Sequence, residues 1–138
     1  MENDISQPSP TDRSAVLALG NDGWPFEFVV SPRKPEFGRL GPVDSRHILG
    51  WFLQAAHAAI SANGLTASPF VRDGEKLELA RSSVHVIRPV LSSSPVVVAV
   101  AVDSATPTEL VLALTLSDAH AGCLSRGELA YRFVDASR

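Results

Sequence analysis

From His47 to Val71 the chain contains no Asp, Glu, Lys or Arg, and the first part of that stretch reads HILGWFLQAAHAAISANG. Leu49, Phe52, Leu53, Ala56 and Ile60 recur at helical spacing and form one apolar face. The opposite face carries Gly50, Gln54, His57 and Ser61, where an ordinary surface helix would place Lys and Glu. A helix with no charge on any face from His47 onward is expected to be wrapped by protein on most sides. Nearly everything after it reads as strand. One buried helix followed by several long strands is what a sheet curled around a central helix requires.

The limits of these elements are marked by local chemistry. Asp44 or Ser45 offers a side-chain oxygen at the expected N-cap, and Asn63-Gly64 is a left-handed stop, so the helix spans about Asp44 to Ala62. Before it, Phe26–Val30 reads as a strand. Ser31–Val43 holds three prolines and two glycines and reads as a loop. After it, strands are predicted at about Leu77–Val90 (with a break near Ala80), Pro95–Val102, Leu110–Ser117 and Cys123–Val134. Leu110, Leu112, Leu114 and Leu116 alternate strictly with their neighbours, a period of two with one buried face. Pro95–Val102 is apolar on both faces, which places it mid-sheet. Short links predict an antiparallel meander of the last four strands. Residues 1–22, polar at their start, read as a flexible leader and 23–138 as a single domain.

Composition narrows the function classes. The chain has 138 residues, 45% hydrophobic and 20% charged, enough for one domain with a real core. A net charge of −3 argues against nucleic-acid binding, which calls for a basic face, but leaves room for an anionic small ligand met by a local pair of cations. Cys123 is the single cysteine and cannot form an internal disulfide. With no secretory signal at the start, a cytoplasmic location is expected. Gln54, two histidines and Ser61 within the helix argue against a membrane span. The four histidines have no metal-ligand spacing with one another or with Cys123, so no metal site and no cofactor is implied.

The run Glu36-Phe37-Gly38-Arg39-Leu40-Gly41-Pro42-Val43-Asp44-Ser45-Arg46-His47, then Ile48-Leu49-Gly50-Trp51-Phe52, resembles a loop and helix start of the type D-x-D-x-x-G-H-V-N-N followed by Y-L-R-W-F. Val86-Ile87-Arg88-Pro89-Val90 is similar to a strand that ends in Arg-Pro before the third strand. These segments and the order of elements resemble the hotdog-fold superfamily, in its 4-hydroxybenzoyl-CoA thioesterase branch, over roughly Phe26–Asp135. The resemblance implies an α+β hotdog fold, with an antiparallel sheet around a long central helix. It also implies a homodimer or dimer of dimers, and a thioester of coenzyme A or acyl carrier protein as ligand. Two positions depart from the pattern: the acidic residue of the loop falls at Gly38 and its histidine at Pro42. Beyond Asp44 at its N-cap the helix contains no Asp or Glu, which weighs against a dehydratase.

Hydrolysis of a thioester needs a donor facing the carbonyl oxygen and a carboxylate that activates water. A helix N-terminus supplies free N–H groups and a positive dipole end. The segment Gly41, Val43 and Ser45 leads to that end, and Asp44 stands there as carboxylate, although Asp is also an ordinary cap. Glu36 is the displaced-acid candidate, although a loop glutamate is ordinarily solvated. His47 and Gln54 are seven residues apart on one helical face and would line an acyl pocket with Trp51, unless they are hydrogen-bonded core groups. Arg88 is a candidate cation for a carrier's phosphates. The expected function is acyl-thioester hydrolysis; the alternative is a non-catalytic binding or assembly module that keeps the fold without the acid.

Overall fold

A computed structural model describes residues 23–38, 41–66, 70–119 and 122–136. The leader, with most of the turn that ends it, lies outside the described residues. Strand β1 (Phe26–Val30) leads through a 3-10 turn at Lys34–Glu36 into helix α1 (Ser45–Ala62). Then come β2 (Glu75–Val86), β3 (Val96–Ala105), β4 (Glu109–Asp118) and β5 (Gly122–Asp135). The five strands form one antiparallel sheet in the order β1-β3-β4-β5-β2, with α1 against one face.

The leucine alternation decides which face that is. Leu110, Leu112, Leu114 and Leu116 are almost wholly buried. Across the ladder they stand opposite Tyr131, Leu129, Gly127 and Ser125 of β5, which therefore share the inner face. Val98 and Val100 of β3 continue it, and β3 lies between β1 and β4 as its two-sided apolar character requires. Helix α1 lays Ile48, Trp51, Phe52, Ala55, Ala56, Ala59 and Ile60 on this face. The three alanines let the helix ride close to the sheet. At Gly127 a Cβ would collide with Ser83 O and with the Phe52 ring. Only glycine lets the Phe52 ring lie on the β5 backbone.

Two expectations are corrected. The last four strands are not a meander, because β2 pairs with β5 at the far edge of the sheet rather than with β3. The link between β2 and β3 is a crossover rather than a hairpin. Ile87 and Arg88 both donate their N–H to Leu124 O (2.8 and 3.0 Å), and Val90 O then accepts from Val43 N–H (3.0 Å). The chain thus turns beside the start of β5 and passes the helix start before entering β3. The break near Ala80 is a register shift between Leu79 and Arg81.

The second correction concerns the helix. Within the protomer its uncharged polar face is open: Gln54, His57 and Ser61 are exposed, and a Cβ at Gly50 would have nothing within 4 Å. The sheet covers one side of α1 and leaves the other to solvent. Its ends lie where the caps place them, with Asp44 accepting from Arg46 N–H and Gly64 at φ 68°.

Candidate functional site

The loop before α1 closes on itself. Gly38 N–H donates to Pro42 O (2.8 Å), Gly41 N–H to Gly38 O (3.0 Å), and Val43 N–H to Val90 O. Gly41 takes φ 112°, which glycine adopts without strain. The N–H groups of Gly41 and Val43 are therefore spent on holding the loop. At the helix start, Arg46 N–H is taken by Asp44 Oδ1 (3.0 Å) and His47 N–H by Asp44 O (2.9 Å). Ser45 N–H has no acceptor among the described residues. It is the first helical N–H, an orphan donor at the positive end of the dipole.

Ser45 also lines a groove. With Arg46 and Leu49 on the helix side and Ser82, Ser83 and Val84 on β2, it encloses a cavity of about 160 Å³. Asp44 is not part of this lining; its Oδ2 stands 3.5 Å from the guanidinium of Arg46, which is. The Arg46 backbone N–H is the main reason that the Asp44 carboxyl is held below the ordinary aspartate value; the charges of Arg46 and His47 add to it. Asp44 is thus ionised well into mild acid.

Glu36 is not a solvated loop residue. It is 8% exposed, with Oε2 accepting from Trp51 Nε1–H at 2.8 Å and Oε1 from Arg33 N–H at 2.8 Å. Burial alone would push its carboxyl up. The two hydrogen bonds, with the charges of Arg33 and His47, outweigh that and hold it below the ordinary glutamate value. Glu36 therefore fastens the loop to the second turn of α1. At about 100° per residue, His47 and Trp51 lie on the flank of the helix away from Ser45 and Leu49. The carboxylate of Glu36 and the β2 groove are consequently on different sides of α1. The two acidic candidates are not brought together.

The other candidates scatter. Gln54 is exposed, two turns beyond Ser45 on the open face, and lines no part of the groove. Val43 is buried in the core. Arg88 is exposed on the crossover, two residues from the Val90–Val43 hydrogen bond, and so lies near the loop. Cys123 is half-buried and donates its thiol to Ser125 O (3.6 Å). Among the described residues no group of His, Cys, Asp and Glu could hold a metal ion. Ser82 and Ser83 were not singled out from the sequence. Their signal is a pair of small hydroxyls midway along an otherwise apolar and charged strand, at the point where α1 starts.

No protein-family model matches this chain, and no curated protein does. Solved structures do. A 1,4-dihydroxy-2-naphthoyl-CoA thioesterase from Synechocystis superposes with a TM-score of 0.68 at 16% identity, covering 80% of this chain and 82% of that one. A DHNA-CoA thioesterase from Staphylococcus aureus gives 0.68 at 14% identity, covering 80% and 74%. A hot-dog-like protein from Thermanaerovibrio acidaminovorans gives 0.66 at 18% identity, covering 80% and 81%. The fold is the hotdog fold. Among the described residues no helix is long and apolar enough to cross a membrane.

Proposed function

We propose that this protein hydrolyses acyl thioesters at the β2 groove beside the start of α1. The observation that carries this reading is the orphan N–H at the helix N-terminus, on Ser45, which lines the groove and directly follows the ionised Asp44 in the chain. In the proposed reaction Asp44 takes a proton from water as the water oxygen attacks the thioester carbon. The oxyanion that forms is met by Ser45 N–H and the helix dipole. The C–S bond then breaks, and Asp44 returns the proton to the departing thiolate. Arg46, with Arg88 on the nearby crossover, supplies cations for the phosphates of a coenzyme A or acyl-carrier arm. The neighbours named as CoA thioesterases support this substrate class.

Ser45→Pro tests the donor. Proline is favoured at the first helical position because its missing N–H has no intrahelical role there. Asp44 already has the extended backbone (φ −66°, ψ 143°) that a following proline demands. The variant is expected to fold normally and to lose about 10²–10³-fold in turnover, whereas Ser45→Ala, which keeps the N–H, loses little. Equal turnover in Ser45→Pro and Ser45→Ala would remove Ser45 N–H from the reaction.

A second reading is a binding module without hydrolysis. It is favoured by the engagement of both Asp44 oxygens by Arg46 and by Gly38 and Pro42 in the loop. Tight acyl-CoA binding without thiol release would select it.

The protein is further proposed to be a homodimer in the cytoplasm. β2 is a twelve-residue edge strand with Leu79 and Val86 more than 40% exposed, and such an edge invites pairing with a second copy. Sedimentation at micromolar concentration is expected to give twice the protomer mass; a monomer there would count against dimerisation.

A further inference from the structure

The row of β2 side chains on the helix side of the sheet carries one residue out of pattern. Leu79, Ser82, Val84 and Val86 stand opposite Tyr131, Leu129, Gly127 and Ser125, the β5 residues of the inner face. An inward row of a strand is ordinarily apolar, and Leu79, Val84 and Val86 keep to that. Ser82 does not. Its Oγ makes no hydrogen bond among the described residues, whereas Ser83, on the other face of the strand, has its Oγ engaged by Glu128 N–H (3.2 Å). Ser82 lies in the wall of the β2 groove, with Ser45, Arg46 and Leu49 on the helix side of the same space.

The groove measures about 160 Å³, half the ~300 Å³ at which pockets for whole small molecules begin. It therefore takes an acyl group of a few carbons and leaves the carrier outside. Leu49 and Val84 supply apolar contact for such a chain. A plain alkyl chain laid there would strip water from Ser82 Oγ and give nothing back. A chain with a hydroxyl exchanges that water for a direct bond, since a serine hydroxyl both donates and accepts. A carboxylate on the chain is not matched: Arg46 is the one charged residue of the lining, and Asp44 Oδ2 at 3.5 Å already answers its charge.

We propose that Ser82 sets the specificity of the groove for short acyl thioesters that bear a hydroxyl close to the thioester carbon, of the 3-hydroxyacyl type, whose hydroxyl bonds to Ser82 Oγ. With the carbonyl held at Ser45 N–H on the helix side, the chain crosses the groove to β2 and carries that hydroxyl towards Ser82. This rests on the proposed hydrolysis at the groove and adds the class of acyl group.

The test measures free-thiol release by the full chain from butyryl-CoA, racemic 3-hydroxybutyryl-CoA and succinyl-CoA. The hydroxyacyl ester is expected to exceed butyryl-CoA about two- to tenfold in kcat/KM, the worth of one hydrogen bond, with succinyl-CoA below both. Ser82→Val, which completes the apolar row with a residue that strands favour, should bring the first two substrates level. Ser82→Thr keeps a hydroxyl and should keep the preference. A general loss of structure would lower all three substrates together without levelling that ratio. Equal kcat/KM for butyryl- and 3-hydroxybutyryl-CoA in the natural protein, a preference for succinyl-CoA, or a preference that survives Ser82→Val would overturn the proposal and leave hydrolysis at the groove standing. If none of the three is hydrolysed, the hydrolysis reading fails by itself, and dissociation constants of the intact thioesters decide about Ser82. The same order of affinity, lost in Ser82→Val, upholds its role in binding; equal binding, or none, overturns it.

Discussion

Asp44→Asn is expected to lower thioester turnover by about 10²–10⁴-fold, the range a positioned general base contributes, while the protein folds as before. The two roles of Asp44 separate cleanly in this substitution. As a cap it accepts the Arg46 N–H through Oδ1, and asparagine, among the best N-caps, keeps an oxygen for that bond. As a base it needs a charge, which asparagine lacks. The pH profile supplies a second signature. Because the Asp44 carboxyl is held below its ordinary value, protonation of the base sets in at lower pH than for an ordinary aspartate. Turnover of the natural protein should show an acid limb displaced below that of an ordinary aspartate, and the residual rate of the variant should show no such acid limb. Kinetics from neutral to about pH 3, with circular dichroism at each point, check both. Wild-type turnover in Asp44→Asn would exclude it as base, and Glu36→Gln is then the variant to measure.

Phe52→Ala is expected to destabilise the protein by about 3–5 kcal/mol, the usual loss for a buried aromatic truncated in a core. That is a lowering of the melting temperature by about 10–20 °C. Phe52 is 0% exposed and its ring lies against the backbone at Gly127. Neither side can collapse into the space left behind. β5 is held between β4 and β2 by ladders on both edges, and α1 is held at its start by the Glu36–Trp51 hydrogen bond. Denaturant unfolding should show a lower midpoint with an unchanged slope. A loss under 1 kcal/mol would mean that the helix moves freely on the sheet.

What could be read from the sequence was what local chemistry controls. The helix limits followed from Asp44 and from Asn63-Gly64, and the buried face of β4 from four leucines at a period of two. The orphan donor was implicit in the cap, since the residue after an N-cap always has an unpaired N–H. Strand order was not legible: β2 and β3 are neighbours in sequence, but nothing local records that the crossover hydrogen-bonds to Leu124 and carries β3 to the other side of β4. Glu36 was misjudged for a similar reason. Its burial depends on Trp51, fifteen residues away, and the one available signal was that a buried indole N–H requires an acceptor. The uncharged helix face was read as covered by protein, but in the protomer it is open.

The central claim is hydrolysis at the β2 groove, and the release of free thiol from acyl-CoA tests it most directly. The full-length protein is incubated with a series running from acetyl- to decanoyl-CoA and with benzoyl-CoA, and thiol and carboxylic acid are both quantified. Multiple turnovers with thiol and acid in equal amounts, on at least one member of the series, are the expected result. Saturable binding of the same thioesters with no thiol released would contradict hydrolysis and leave this protein a binder of acyl thioesters.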